Sequence, residues 1–184
     1  MSTSSAQPPS PEDLLAAIDD YDEKHHHYDD VFREVQDRIA QHGEAGKLDL
    51  AALTLWKRSA QGAWVSSLLH TDEKSVREAT RRAFEASDDL QALGALAVLP
   101  GFASQAAIAT AVLAAHCPRE YGVMDRHALK ALTAYGRDVG RSRGQTLRYL
   151  DAVRVLRDDL AAVRSGITAR DVDKGLYVYG RRLP

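Results

Sequence analysis

The chain has 184 residues, of which 45% are hydrophobic and 27% charged, and this composition is typical of a globular protein and excludes a disordered or fibrous chain. The net charge of −2 excludes a uniformly basic nucleic-acid-binding protein. The charge is unevenly divided, because residues 1–100 contain 10 Lys/Arg and 18 Asp/Glu whereas residues 101–184 contain 14 and 8. A basic half of this kind indicates a surface that faces a polyanion.

The single cysteine, Cys117, excludes an internal disulfide, a cysteine-rich structural zinc site and a four-cysteine iron–sulfur cluster. We therefore expect no metal centre and a reducing compartment, the cytoplasm. No segment approaches the roughly 18 consecutive apolar residues of a membrane span, so no membrane partner is expected. Residues 1–10 lack the basic and apolar regions of a secretion signal and are predicted to form a disordered tail.

Helical patterns follow one another along the rest of the chain, and no segment shows the polar–apolar alternation of a strand. Helices are predicted after Ser10, over 31–39, after Asp49, after Thr71, after Ser87, from Ala106 to Pro118, over 126–135, over 146–163 and after Thr168, with a short apolar segment at 64–69. The Ser, Thr and Asp residues named here are predicted helix caps. We therefore predict a single all-α domain over residues 11–184.

The segment 88–116 is the most informative part of the chain. It comprises an apolar helix, the turn Leu99-Pro100-Gly101 and a second helix of small residues. Gly101 can take the positive φ that a tight turn needs. The backbone N–H groups from about Ser104 to Ala107, together with the dipole of the second helix, suit a phosphate.

This arrangement resembles the helix-hairpin-helix superfamily of DNA glycosylases, whose motif is a Leu-Pro-Gly-hydrophobic-Gly hairpin, a small-residue helix and a hydrophobic-Asp ending. The matching residues are Leu99, Pro100, Gly101, Phe102, Ala106, Ala107, Val123, Met124 and Asp125, within about residues 88–135. A second likeness, to uncharacterised bacterial relatives of this fold, extends over about residues 50–180. It rests on Trp56-Lys57, on Pro118 to Tyr121 and on Arg170 to Asp173.

The resemblance implies a helix-hairpin-helix bundle that binds double-stranded DNA and releases a flipped, damaged or modified base. Asp125 matches the essential carboxylate of the family, which would stabilise the oxocarbenium charge on the sugar or orient a water. Gln105 stands where bifunctional members carry a Schiff-base lysine, so a monofunctional N-glycosylase without lyase chemistry is expected. The residues expected to bind nucleic acid are Gly101, Ala103, Ser104, Gln105, Arg126, His127, Arg141 and Arg143. Those expected in the base pocket are Trp56, Lys57 and Tyr121.

Ala103 replaces the second hairpin glycine of the family, and alanine tolerates a positive φ poorly, which disfavours the phosphate contact made there. A monovalent cation on the hairpin is the only cofactor that the resemblance implies. One alternative is a non-catalytic descendant of the fold that binds nucleic acid or a protein partner, and another is a helical protein with a small-molecule pocket. Asp125 would then act only as the N-cap of the following helix, whereas catalysis requires its carboxylate to face an open cleft on the same side as the hairpin.

Overall fold

Ten α-helices are present in the computed structural model, which describes residues 10–25, 27–57, 63–141 and 144–184. They are α1 (Pro11–His25), α2 (Asp30–His42), α3 (Lys47–Trp56), α4 (Ala63–His70), α5 (Glu73–Phe84), α6 (Asp89–Leu96), α7 (Ala106–His116), α8 (Arg126–Ala134), α9 (Gln145–Ala161) and α10 (Ala169–Arg182). The described residues contain no strand, so the all-α prediction is confirmed. Residues 1–9 of the predicted tail, and Arg143, lie outside the described residues. Within the described ranges, no helix has the length and apolar character needed to cross a bilayer.

Several helices begin a few residues away from the predicted cap. Asp72 and Asp88, rather than Thr71 and Ser87, cap α5 and α6. Each of the two carboxylates accepts the backbone N–H three residues later, at 3.0 and 2.8 Å. Asp49 lies inside α3 instead of capping it, and its carboxylate accepts the N–H three residues earlier at 2.8 Å. The local competition between neighbouring polar residues therefore decides each helix start.

The helices form two lobes, each with its own apolar core. Helices α2 to α7 make up the first lobe, and α1, α8, α9 and α10 make up the second. The largest fully buried side chains of the first lobe are Ile39, Leu50, Leu53, Leu68, Leu96, Ile108 and Leu113. Those of the second lobe are Leu14, Leu132, Tyr149, Leu150 and Leu160. The chain thus starts in the second lobe, builds the first and returns through residues 117–125.

Polar contacts join the two lobes. Arg154 of α9 donates two hydrogen bonds to the carboxylate of Asp89 on α6, both at 2.7 Å. The backbone N–H of Met124, in the connection to α8, donates to the hydroxyl of Thr110 on α7 at 2.9 Å. Because a bidentate guanidinium–carboxylate pair has a fixed geometry, these contacts set the relative position of the lobes.

Two glycines of α10 allow neighbouring helices to approach it closely. A Cβ at Gly175 would lie 2.7 Å from a side-chain carbon of Leu14 on α1. A Cβ at Gly180 would lie 1.9 Å from the carbonyl oxygen of His127 on α8. Because Gly180 has no side chain, α8 can lie directly against α10. This close packing sets the position of α8 and of Asp125, which precedes it.

Gly180→Ala is expected to lower the free energy of unfolding by about 2–3 kcal/mol, because the added methyl meets backbone that cannot turn aside. Gly94→Ala in α6 is the matched control, since a Cβ there meets nothing within 4 Å. Alanine at that position is expected to stabilise the helix by about 0.5–1 kcal/mol. Chemical denaturation measures both changes, and equal stability of the two variants would contradict the close approach of α8 and α10.

Candidate functional site

A cleft with a volume of about 480 Å³ lies where the two lobes meet. One wall comes from Tyr28 and the end of α3 in the first lobe, and the other from α1, the start of α8 and α10 in the second. This volume falls within the range of about 300–1,000 Å³ that is typical of small-molecule sites. Asp125 lies in the lining, so its carboxylate faces an open cleft, which is the first part of what catalysis requires.

The two oxygens of Asp125 make different contacts. Oδ1 accepts the backbone N–H of His127 at 2.7 Å, which caps the start of α8. Oδ2 accepts a hydrogen bond from the Lys57 ammonium at 2.8 Å. The Asp125 and Lys57 side chains are 18% and 15% exposed, so the ion pair is shielded from bulk water but reached from the cleft. The capping role and the position in the cleft therefore coexist.

Asp125 is held in its ionised form. Burial acts to raise its pKa, but the charge and hydrogen bond of Lys57, together with the N–H of His127, hold the pKa below its ordinary value. An ionised carboxylate in a partly shielded cleft interacts with a nearby positive charge more strongly than it would in water. The site can therefore stabilise a cation that develops on a bound ligand.

The packing of Trp56 explains why Lys57 reaches Asp125. Trp56 is the last residue of α3, and its ring contacts the rings of Tyr28 and Phe32, with centroids 5.6 and 4.9 Å away. The hydroxyl of Tyr28 also donates a hydrogen bond to the Trp56 carbonyl. With the end of α3 held in this way, Lys57 follows directly as the C-cap and its side chain extends into the cleft.

A buried guanidinium supports the floor of the cleft. Arg170 of α10 is 5% exposed and donates to Asp173 at 2.7 Å and to Asp29 at 3.2 Å. Its guanidinium carbon lies 5.2 Å from the ring of Trp56 and 5.1 Å from the ring of Phe32, which are cation–π distances. Asp29 also accepts the indole N–H of Trp56 at 3.3 Å. This network ties α10 of the second lobe to the aromatic wall of the first.

The structure brings together only some of the residues that the sequence singled out. Trp56, Lys57, Arg126 and His127 line the same cleft as Asp125. Tyr121 instead lines a separate depression of about 520 Å³, with Asp89 and Arg154, where burial raises the pKa of its hydroxyl to about 12. Arg141 is exposed and does not line the Asp125 cleft.

The sequence assigned no role to several residues that the structure adds to this site. They are Tyr21, His25, Tyr28, Arg170, Asp173, Tyr177 and Arg181. The segment from Arg170 to Asp173 was marked only by the likeness to bacterial relatives. The aromatic residues of α1 and α10 gave no signal, since a tyrosine at helical spacing is equally typical of a core position.

The hairpin has the predicted turn at Gly101, where φ is +85°. The indole of Trp64 covers this glycine, because a Cβ on Gly101 would lie 2.5 Å from that ring. The N–H groups of Ser104 and Gln105 both bond to the Gly101 carbonyl, at 3.1 and 3.0 Å. Of the N–H groups expected to face a phosphate, those of Ser104 and Gln105 are therefore used within the turn, and those of Ala106 and Ala107 remain.

The hairpin and the cleft are separate surfaces. The described lining of the cleft contains none of the hairpin residues 99–105. Ala103 and Ser104 are exposed at the tip of the hairpin, so this surface is accessible from outside. Among the residues that the structure describes, no group of three His, Cys, Asp or Glu side chains is arranged to hold a metal ion.

The chain matches no family model, no curated protein and no solved structure. The resemblance to helix-hairpin-helix DNA glycosylases therefore depends on the sequence motifs alone. The geometry and charge of the cleft are the structural features that bear on its function.

Proposed function

We propose that the protein is a monofunctional DNA N-glycosylase, which takes a flipped, modified base into the cleft and hydrolyses its bond to the sugar. The observation that carries this proposal is the ionised carboxylate of Asp125 in an open cleft with aromatic and cationic walls. A carboxylate that only caps a helix does not need an open cleft of this size beside it.

The aromatic lining suits a flat, uncharged ring. Tyr21, Tyr28, Trp56 and Tyr177 all contribute to the cleft. Stacking of a base on an aromatic side chain contributes about 1–3 kcal/mol, which offsets part of the cost of removing the base from the duplex. A modified base that pairs weakly in DNA costs less to flip, so the cleft favours it.

The charged lining suits the phosphates on either side of that base. Of the cations in the lining, Arg170 pairs with Asp29 and Asp173, and Lys57 pairs with Asp125. Arg126 and Arg181 form no salt bridge among the described residues, so these two guanidiniums give the cleft a local positive charge on a chain whose net charge is −2. Such a charge attracts DNA through its phosphates, and the affinity falls as salt rises.

The chemistry follows from the position of Asp125. As the bond between base and sugar breaks, its electron pair leaves with the base and the sugar gains oxocarbenium character. The Asp125 carboxylate stabilises that positive charge, and water then attacks C1′ of the sugar. Gln105 has no amine, so the hairpin offers no nucleophile for a Schiff base.

A base-release assay tests this proposal. Duplexes that each carry one modified base are incubated with the full chain, and the abasic sites formed are converted to strand breaks with alkali. We expect release from at least one modified duplex and none from the unmodified control. Release from no member of the panel, despite duplex binding, would overturn the enzyme and favour the second candidate.

The second candidate is a non-catalytic nucleic-acid-binding protein. It is favoured by the separation of the hairpin from the cleft, since none of residues 99–105 lines the cleft and the exposed tip at Ala103 and Ser104 can be contacted without Asp125. Its expected result is salt-sensitive binding to duplex DNA without loss of any base.

A further inference from the structure

We propose that Lys57 donates the proton that the departing base requires, and that the substrate is therefore a modified base without formal charge. This inference rests on the proposed glycosylase function and adds to it a second catalytic residue and a substrate class. Three observations lead to it: the distance of Lys57 from Asp125, its chemistry among the cleft cations, and its contact with the oxygen of Asp125 that does not cap α8.

The position of Lys57 brings its ammonium to the reacting bond. Its Nζ lies 2.8 Å from Oδ2 of Asp125, the carboxylate that would face C1′ of the sugar. The nitrogen of the base is bonded directly to C1′. A donor within one hydrogen bond of the carboxylate is therefore within reach of the atom that takes up the leaving electron pair.

Lys57 is the only ammonium in the described lining of the cleft. The other fixed cations there are the guanidiniums of Arg126, Arg170 and Arg181. A guanidinium stays protonated in proteins, whereas an ammonium can lose its proton and regain it. Of these fixed cations, only Lys57 can act as a general acid. His25 and His127 also line the cleft, but Nε2 of His127 accepts from Nε of Arg126 at 3.2 Å, and it is the Lys57 ammonium that contacts the Asp125 carboxylate.

The fold does not need Lys57 to begin α8. The N-cap bond runs from the His127 N–H to Oδ1 of Asp125, and Lys57 contacts the other oxygen. Lys57 itself is the C-cap of α3 and belongs to neither of the two apolar cores. Its amine therefore contacts the Asp125 carboxylate without taking part in the N-cap of α8.

Every proton and electron pair in this step is supplied or taken up by the base, the sugar, Lys57 and one water. The bond between C1′ and the base nitrogen breaks, and its electron pair goes to the base, which takes a proton from the Lys57 ammonium. Water adds its oxygen to C1′ of the cationic sugar while Asp125 stabilises the charge. The proton lost by that water returns to the Lys57 amine, so the products are the free base and the abasic sugar.

This step defines the class of substrate. A neutral base leaves as an anion unless it is protonated, so it gains from an acid at this position. A purine alkylated at N7 or N3 already carries a positive charge and leaves as a neutral molecule without a proton.

The test compares two kinds of leaving base in Lys57 variants of the full chain. Duplexes carry one hypoxanthine, uracil or 8-oxoguanine as the neutral base, or one 7-methylguanine as the cationic base. Lys57→Arg keeps a positive charge beside Asp125 but cannot act as an acid, and Lys57→Met removes both. Lys47→Met is the control, because Lys47 begins the same helix α3 and is half-buried, with its ammonium donating to the Leu69 carbonyl at 3.1 Å, but it does not line the cleft.

We expect the wild type to release a neutral base, and both Lys57 variants to release it at least about 10²-fold more slowly. Release of 7-methylguanine, where it occurs, is expected to change less than about 3-fold, because its departure does not depend on general acid catalysis. Lys47→Met is expected to behave as the wild type on every duplex. Thermal melting and duplex binding verify that each variant is folded and binds DNA.

Each contrary result has a distinct meaning. Wild-type release confined to 7-methylguanine overturns the substrate class. Neutral-base release that survives in Lys57→Arg, or an equal loss on both classes of base, overturns the donor role and leaves Lys57 as a residue that positions Asp125. No release from any duplex overturns the glycosylase itself, and the role of Lys57 with it.

Discussion

Asp125→Asn is expected to slow base release by about 10²- to 10³-fold, the loss typical of removing one electrostatic group that stabilises a transition state. The amide keeps an oxygen that can accept the His127 N–H, and asparagine caps helices as well as aspartate. It lacks the negative charge that stabilises the oxocarbenium ion. The variant therefore separates the chemistry of this residue from its role in the fold.

Asp125→Ala provides the comparison for stability. Alanine removes both the charge and the cap of α8, which is expected to cost about 1 kcal/mol in the free energy of unfolding. We expect the asparagine and alanine variants to lose similar activity but to differ in thermal stability. Single-turnover base release within a few-fold of the wild type in Asp125→Asn would show that the carboxylate does no chemistry.

Arg170→Met is expected to lower the free energy of unfolding by about 3–5 kcal/mol, as is typical when one partner of a buried charge network is removed. The guanidinium pairs with Asp29 and Asp173, which are 6% and 3% exposed. Without it, Asp173 would lose its salt-bridge partner and Asp29 would keep only the longer ion pair with Lys174, at 3.8 Å. The cation–π contacts of Arg170 with the rings of Phe32 and Trp56 would be lost as well. Urea denaturation at neutral pH measures the change.

The loss of unfolding free energy in Arg170→Met is expected to become smaller as the pH falls. Burial raises the pKa of Asp173, against the opposing charge of Arg170, so removal of that charge raises this pKa further. When the pKa of a group is higher in the folded state than in the unfolded state, protonation stabilises the fold at low pH. This stabilisation is lost as the pH rises through the folded-state pKa. The variant is therefore expected to be closer to wild type at about pH 5 than at about pH 7.

A triple variant distinguishes charge from shape in this network. Replacing Asp29 and Asp173 with asparagine in the Arg170→Met background removes the unpaired charges and is expected to recover part of the stability. The native network already contains one buried donor without a described partner, the Nε of Arg170, which lowers its net contribution. A loss below about 1 kcal/mol in the single variant would contradict a supporting role for Arg170.

Local features of the fold were predictable from the sequence. Periodicity and capping residues indicated the helices, because both depend on neighbours within one turn. The cap at Thr168 is confirmed, since its hydroxyl accepts the N–H of Asp171 in a complete capping box. Gly101 takes the positive φ that its place after Leu-Pro predicted.

The assembly of the cleft was not predictable, because its contacts join distant parts of the chain. Lys57 and Asp125 are 68 residues apart, and Arg170 and Asp29 are 141 residues apart. Helical periodicity identifies which face of a helix is buried but not which other helix covers it. The sequence therefore named Asp125 and Lys57 separately, and only the packing of α3 against the second lobe makes them a pair.

The order of the helices along the chain has a consequence for how the protein folds during synthesis. α1 is made first, yet its apolar residues Leu14 and Ile18 pack against α10, which is made last. The first lobe is contiguous in sequence from α2 to α7 and can condense on the ribosome while α1 has no partner. Arg170 arrives only with α10, so the cleft acquires its floor after α1 to α9 have been made. A nascent or truncated chain without α10 would expose the apolar face of α1 and would lack this part of the cleft.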